Sequence, residues 1–156
     1  MKQNTLKTKP APAYLTRMNT DKANELYLKI VSWLTKDKLY RDPSYNTAKL
    51  AADLHTNIRY IAAAVGVCTG GNYNKLVNGL RLRDVDKMMR SAQYKDLNVE
   101  EIGLLAGFSS RQAFYLAFHR EYECTPRQYR LMLEKGMNAA EIKAQEKHNE
   151  QRDTTC

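Results

Sequence analysis

The chain has 156 residues, 43% hydrophobic and 27% charged, enough for one domain or two joined subdomains but not for a multidomain enzyme. Lys and Arg total 25 against 17 Asp and Glu, and the resulting net charge of +8 suggests a polyanionic partner. The longest uncharged run, residues 60–74, is 15 residues with three glycines, so no bilayer span is expected. The N-terminus is charged and lacks the apolar stretch of a secretion signal. Cys68, Cys124 and Cys156 are widely spread and lack zinc spacing, which favours reduced thiols over disulfides and leaves no metal site in view.

Residues 1–19 hold Lys2, Lys7, Lys9, Arg17, Pro10 and Pro12 and no acid, and are expected to form a flexible basic arm. Residues 20–43 read as a helix and a turn. Thr20 is the expected cap, Ala23, Leu26, Ile30, Trp33 and Leu34 share one face, and the helix should end near Lys38, ahead of Tyr40–Ser44. In a first motif, 46–66, Asn46 caps a helix with Leu50, Ala51 and Leu54 inward. His55 and Thr56 break it, and Asn57 caps a second helix with Ile58, Ile61 and Val65 inward. A linker helix over 72–91 follows, with Lys75, Arg81, Arg83, Lys87 and Arg90 on its polar side against Asp84 and Asp86. The second motif, 98–122, starts at Asn98 with Glu101 in capping-box position and Ile102, Leu105 and Ala106 inward. It turns at Gly107 and continues from Ser109 or Ser110 with Phe114 and Phe118 inward. Pro126 opens a closing helix, 126–135, with Tyr129, Leu131, Met132 and Leu133, and the polar tail 136–156 reads as frayed helix or disorder. No stretch alternates long enough to demand a sheet, so the expected fold is all-α.

The two motifs are copies of one plan. Asn46 and Asn98 are 52 residues apart, as are Leu50 and Ile102, and beyond the turn Ile61 pairs with Phe114 and Val65 with Phe118 at 53. Each copy is a capped short helix, a tight turn and a second helix, the arrangement that projects a recognition helix into a DNA major groove. A linker of about 20 residues spans about 30 Å, near the ~34 Å between successive major-groove faces, so a monomer is expected to read two adjacent grooves.

The run EIGLLAGFSSRQAFYLAF (Glu101–Phe118), then TPRQYR (Thr125–Arg130), resembles the signature of AraC/XylS-type transcription regulators. Leu50–Asn57, Tyr60, Ile61 and Asn78–Leu82 are similar to the same family's first motif, and the resemblance covers about residues 44–133. It implies a bacterial cytoplasmic DNA-binding protein with two homeodomain-like helix-turn-helix subdomains in 44–135. Family members usually activate transcription, which would make RNA polymerase a second partner, and often carry a separate ligand-sensing domain. Residues 1–43 are expected to form an arm and one helix rather than such a domain. The chain is then either a short regulator or the DNA-binding end of a longer one.

The outward residues of the first recognition helix are read as Arg59, Ala62, Ala63 and Gly66, with Arg59 suited to guanine or phosphate and the alanines to thymine methyls. On the second, Arg111, Gln112, Tyr115, Leu116 and His119 lie off the Phe114/Phe118 face. Gln112 can pair with adenine and Arg111 with guanine or phosphate. The base-facing candidates are therefore Arg59, Ala62, Ala63, Arg111, Gln112, Tyr115 and Leu116. The phosphate candidates are Asn57, Lys75, Arg81, Ser109, Ser110, His119, Arg127 and Arg130. The resemblance places a basic residue where Ala63 and Leu116 stand, so both departures remove a cation. With the acidic pair Glu100 and Glu101, they keep in view a protein-interaction module that retains the fold but not specific DNA binding. His55, His119 and His148 suit no hydrolase triad, no phosphate-binding glycine loop is present, and neither catalysis nor a cofactor is expected.

Overall fold

The computed structural model describes residues 18–153, so nearly all of the predicted arm, and Cys156, lie outside the described residues. Eight α-helices and no strand are present among the described residues, and the fold is all-helical. The helices are α1 Thr20–Lys36, α2 Thr47–Asp53, α3 Ile58–Thr69, α4 Tyr73–Arg90, α5 Val99–Leu105, α6 Arg111–Tyr122, α7 Pro126–Glu134 and α8 Ala139–Asp153. They fall into two compact units. One runs to Asp37 and takes in Asn46–Leu76; the other holds Lys38–Tyr45 and the chain from Val77 onward.

The duplication is visible in the helix bounds. α2 and α5 each have 7 residues and are offset by 52, while α3 and α6 each have 12 and are offset by 53. The added residue falls in the turn. There His55 has φ +52°, the left-handed well that a side chain tolerates at a cost of about 1–2 kcal/mol. Its counterpart Gly107 has φ +107°, beyond that well, and a Cβ there would lie 2.5 Å from the Arg41 Cα.

In the first unit α1 and α2 both pack on α3. Asn19, not Thr20, caps α1, its side-chain oxygen accepting from the Asp21 amide at 2.8 Å. Ala23, Ile30 and Leu34 are fully buried on α1, whereas Trp33 is 40% exposed. The inward set of α3 also differs from the simple stripe. Ile61 and Val65 are buried as expected, but Ile58 is 51% exposed and Ala63, read as base-facing, is fully buried with Ala64. A helix gripped by neighbours on two sides buries more than one stripe, and only small side chains fit the second. Ala63→Arg is therefore expected to destabilise the protein by about 3 kcal/mol, measured by denaturant unfolding, without strengthening DNA binding.

The second unit is built on an aromatic core. Phe108, Phe114, Phe118 and Tyr129 are buried with Ile102, Val85, Cys124 and Ile142, and Phe118 meets Phe114 and Tyr129 edge-on at 5.7 and 5.3 Å. The α5 stripe is Val99, Ile102, Gly103 and Ala106; Leu105, expected inward, is 48% exposed, and Leu131 on α7 is 57% exposed. Both lie on helices of nine residues or fewer, where one stripe is all that neighbours can cover. The polar tail is a helix, capped by Asn138 and Glu141 and docked on α6 with Ile142 fully buried.

Asp84 and Asp86, placed by pattern on the polar side of α4, hold the unit together. The Tyr40 hydroxyl and the Arg41 Nε both donate to Asp84 Oδ2 at 2.7 Å, fixing the turn before the first motif to the second unit. The Tyr129 hydroxyl and the Arg90 Nε donate to Asp86 Oδ1 at 2.7 and 2.9 Å. Burial pushes the Asp84 carboxyl up, but the Arg41 and Tyr40 hydrogen bonds outweigh it and hold the group below its usual range. A depressed folded pKa stabilises above the unfolded value, near 3.9, and that contribution is lost as pH falls through the folded one. Asp84→Asn should cost about 1–3 kcal/mol at pH 7 and reduce the loss of stability on acidification, as read by unfolding at pH 7 and pH 3.

Candidate nucleic-acid interface

Each recognition helix begins at a side-chain cap. The Asn57 side-chain oxygen accepts from the Tyr60 amide at 3.0 Å, and the Ser110 hydroxyl oxygen accepts from the Ala113 amide at 3.1 Å. Ser109 precedes that cap and is exposed. Each cap satisfies one first-turn amide, at helix N-termini whose dipoles favour anions.

On α3 the exposed and half-buried positions facing one way are Ile58, Arg59, Ala62 and Gly66. Arg59 is the helix's only charged residue, and there is no carboxylate. On α6, Arg111, Gln112, Leu116, His119 and Arg120 are exposed, Leu116 at 55%. Sequence reasoning missed Arg120, although it follows His119 beyond the Phe118 stripe. Tyr115 is different. Its hydroxyl donates to Glu100 Oε1 at 2.8 Å, so this base-facing candidate is tied back to α5.

Glu100 gathers more than Tyr115. Arg127 donates to the same oxygen at 2.8 Å, and the Arg111 Nε lies 3.7 Å from it with its guanidinium 5.0 Å from the Tyr115 ring centre. Partial burial raises the Glu100 carboxyl, yet the Tyr115 and Arg127 donors bring it below its usual range. Arg111 and Arg127 remain about two-thirds exposed, and water screens exposed pairs of this kind, so a phosphate can compete for them.

Two phosphate candidates are held elsewhere. The Arg81 Nε donates to the Tyr40 carbonyl at 2.6 Å and its guanidinium lies 5.7 Å from the Phe108 ring centre. Arg130 donates to the carbonyls of Leu97, Lys95 and Tyr94, closing the loop ahead of α5. Both are internal ties, because an arginine with several donors finds the uncapped carbonyls of a nearby loop. Lys75, Arg83 and Lys87 on α4 are exposed.

Two capped helix-turn-helix pairs on a strongly basic chain define a DNA-binding protein of the double helix-turn-helix class. The family model described as a helix-turn-helix domain, of AraC type, matches residues 50–132, and the chain belongs to this family of DNA-binding transcription regulators. It is a regulatory family, not an enzyme family. No curated protein and no solved structure matches the chain. Among the described residues no helix is long and apolar enough to cross a membrane, and no His, Cys, Asp and Glu group could hold a metal.

Proposed function

We propose that this protein is a sequence-specific regulator of bacterial transcription that acts in the cytoplasm and reads two adjacent major grooves as a monomer. The observation that carries the reading is the pair of equivalent 12-residue helices, α3 and α6, each with a capped N-terminus and an exposed outer face. Arg59, Ala62, Arg111, Gln112 and Leu116 are the base-facing set. Asn57, Ser109, Ser110, His119, Lys75 and Arg127 are the phosphate set. RNA polymerase is the partner that activation would require.

Binding-site selection with the intact chain and with Gln112→Ala tests this reading. The intact chain should enrich one asymmetric site of about two helical turns. Gln112→Ala should relax one base pair only, at a cost of about 1–3 kcal/mol. A second reading, a protein-interaction module, is favoured by Glu100, which pairs with Arg127 and lies near Arg111, and by the exposed Leu116. Selection that enriches no motif would support it and sink the first.

A further inference from the structure

The two recognition helices carry different chemistry on their outer faces. α6 presents Arg111, Gln112, His119 and Arg120 around one apolar residue, Leu116, whereas the outer face of α3 presents one cation and is otherwise apolar. Ile58, Ala62 and Gly66 follow each other at intervals of four and therefore form a strip along one side of α3. Ile58 opens that strip with half its surface in solvent, and Ile61, Ala63, Ala64 and Val65 fill the faces turned to α1 and α2. Two polar groups at the ends of α3 are already engaged. The Asn57 side-chain oxygen serves the Tyr60 amide, and the Thr69 hydroxyl donates to the Val65 carbonyl at 2.6 Å. Tyr60 projects about 200° around the helix from Ile58, away from the strip.

Resting on the DNA-binding reading above, we infer that α3 selects its half of the site through thymine 5-methyl groups, contacted by Ile58 and Ala62. The thymine methyl is the one apolar feature on a major-groove base edge, so an apolar strip can discriminate there only by covering it. Gly66 adds no side chain, which lets the helix lie close to the base edges. Arg59, flanking the strip, supplies the single charge, and the absence of a carboxylate from α3 leaves nothing to repel phosphate. The basic chain provides the general attraction; the strip provides the choice of base.

The test replaces thymine by deoxyuridine, one position at a time, in the duplex that the intact chain selects. This removes only the 5-methyl group. Each methyl covered by the strip should account for about fourfold in affinity, and two together about fifteenfold. The sensitivity at the thymine under Ile58 should vanish in Ile58→Ala while that under Ala62 remains, and both should persist in Ile58→Val and in Gln112→Ala, whose lesion lies on α6. Thermal melts of the Ile58 variants should lie within a few degrees of the parent, since half of that side chain is already in solvent. A selected motif with unchanged affinity for every uracil substitution overturns the inference while leaving sequence-specific recognition intact. Uracil sensitivity that survives unchanged in Ile58→Ala also overturns it. If no motif is selected at all, the DNA-binding reading fails and this inference fails with it.

Discussion

Replacing Gly107 with alanine is expected to destabilise the second unit by about 3 kcal/mol or more, from backbone strain and overpacking together. Both arise at one atom. The residue has φ +107°, and the new Cβ would sit 2.5 Å from the Arg41 Cα and 2.6 Å from the Arg41 carbonyl oxygen. These are backbone atoms of a turn already fixed by Asp84 and Arg81, so they cannot swing aside as a side-chain end would. Unfolding monitored by near-ultraviolet absorption of the aromatic core should show the loss. His55→Gly, at the corresponding place in the first unit, should be neutral or mildly stabilising because φ +52° already strains a histidine. Equal tolerance of alanine at both turns would show that the close approach to Arg41 is not a constraint.

DNA affinity is expected to fall about 500-fold between 50 and 200 mM salt, with a log–log slope of about −4.5. That slope corresponds to about five neutralised phosphates. Lys75, Arg83, Lys87, Arg120 and Arg127 are exposed and can supply them. Lys87→Gln should flatten the slope by about one, equally for all sequences. Arg130→Gln should leave the slope unchanged and lower stability by about 1 kcal/mol, because three loop carbonyls lose their donor. A slope that flattens in Arg130→Gln without loss of stability would put that guanidinium on DNA instead of on the loop. Titrations of one labelled duplex at four salt concentrations resolve these outcomes.

Much of this molecule was legible before any fold was known. Helix starts were marked by residues that satisfy their own first turn, as Asn46, Asn57, Asn98 and Ser110 do. The offsets of 52 and 53 appear both in the residue pattern and in the helix bounds. Pattern and structure differ where a position answers to more than its own helix. Ile58 and Ala63 exchanged sides because α1 and α2 both cover α3. The tail docked because Ile142, one apolar residue among polar ones, finds a fully buried place.

The helices, most of their caps, the duplication and the basic surface are local in origin, because each is encoded within a turn or two of chain or in plain charge counts. Which cations remain available and which carboxylates are structural depends on partners that folding brings together. Glu100 meets Tyr115 and Arg127 across 15 and 27 residues, Arg130 meets Leu97 across 33, and Tyr40 meets Asp84 across 44. An arginine's sequence neighbours do not reveal whether a carbonyl from a distant loop will reach it, and a buried polar group must be paired wherever that partner lies in the chain.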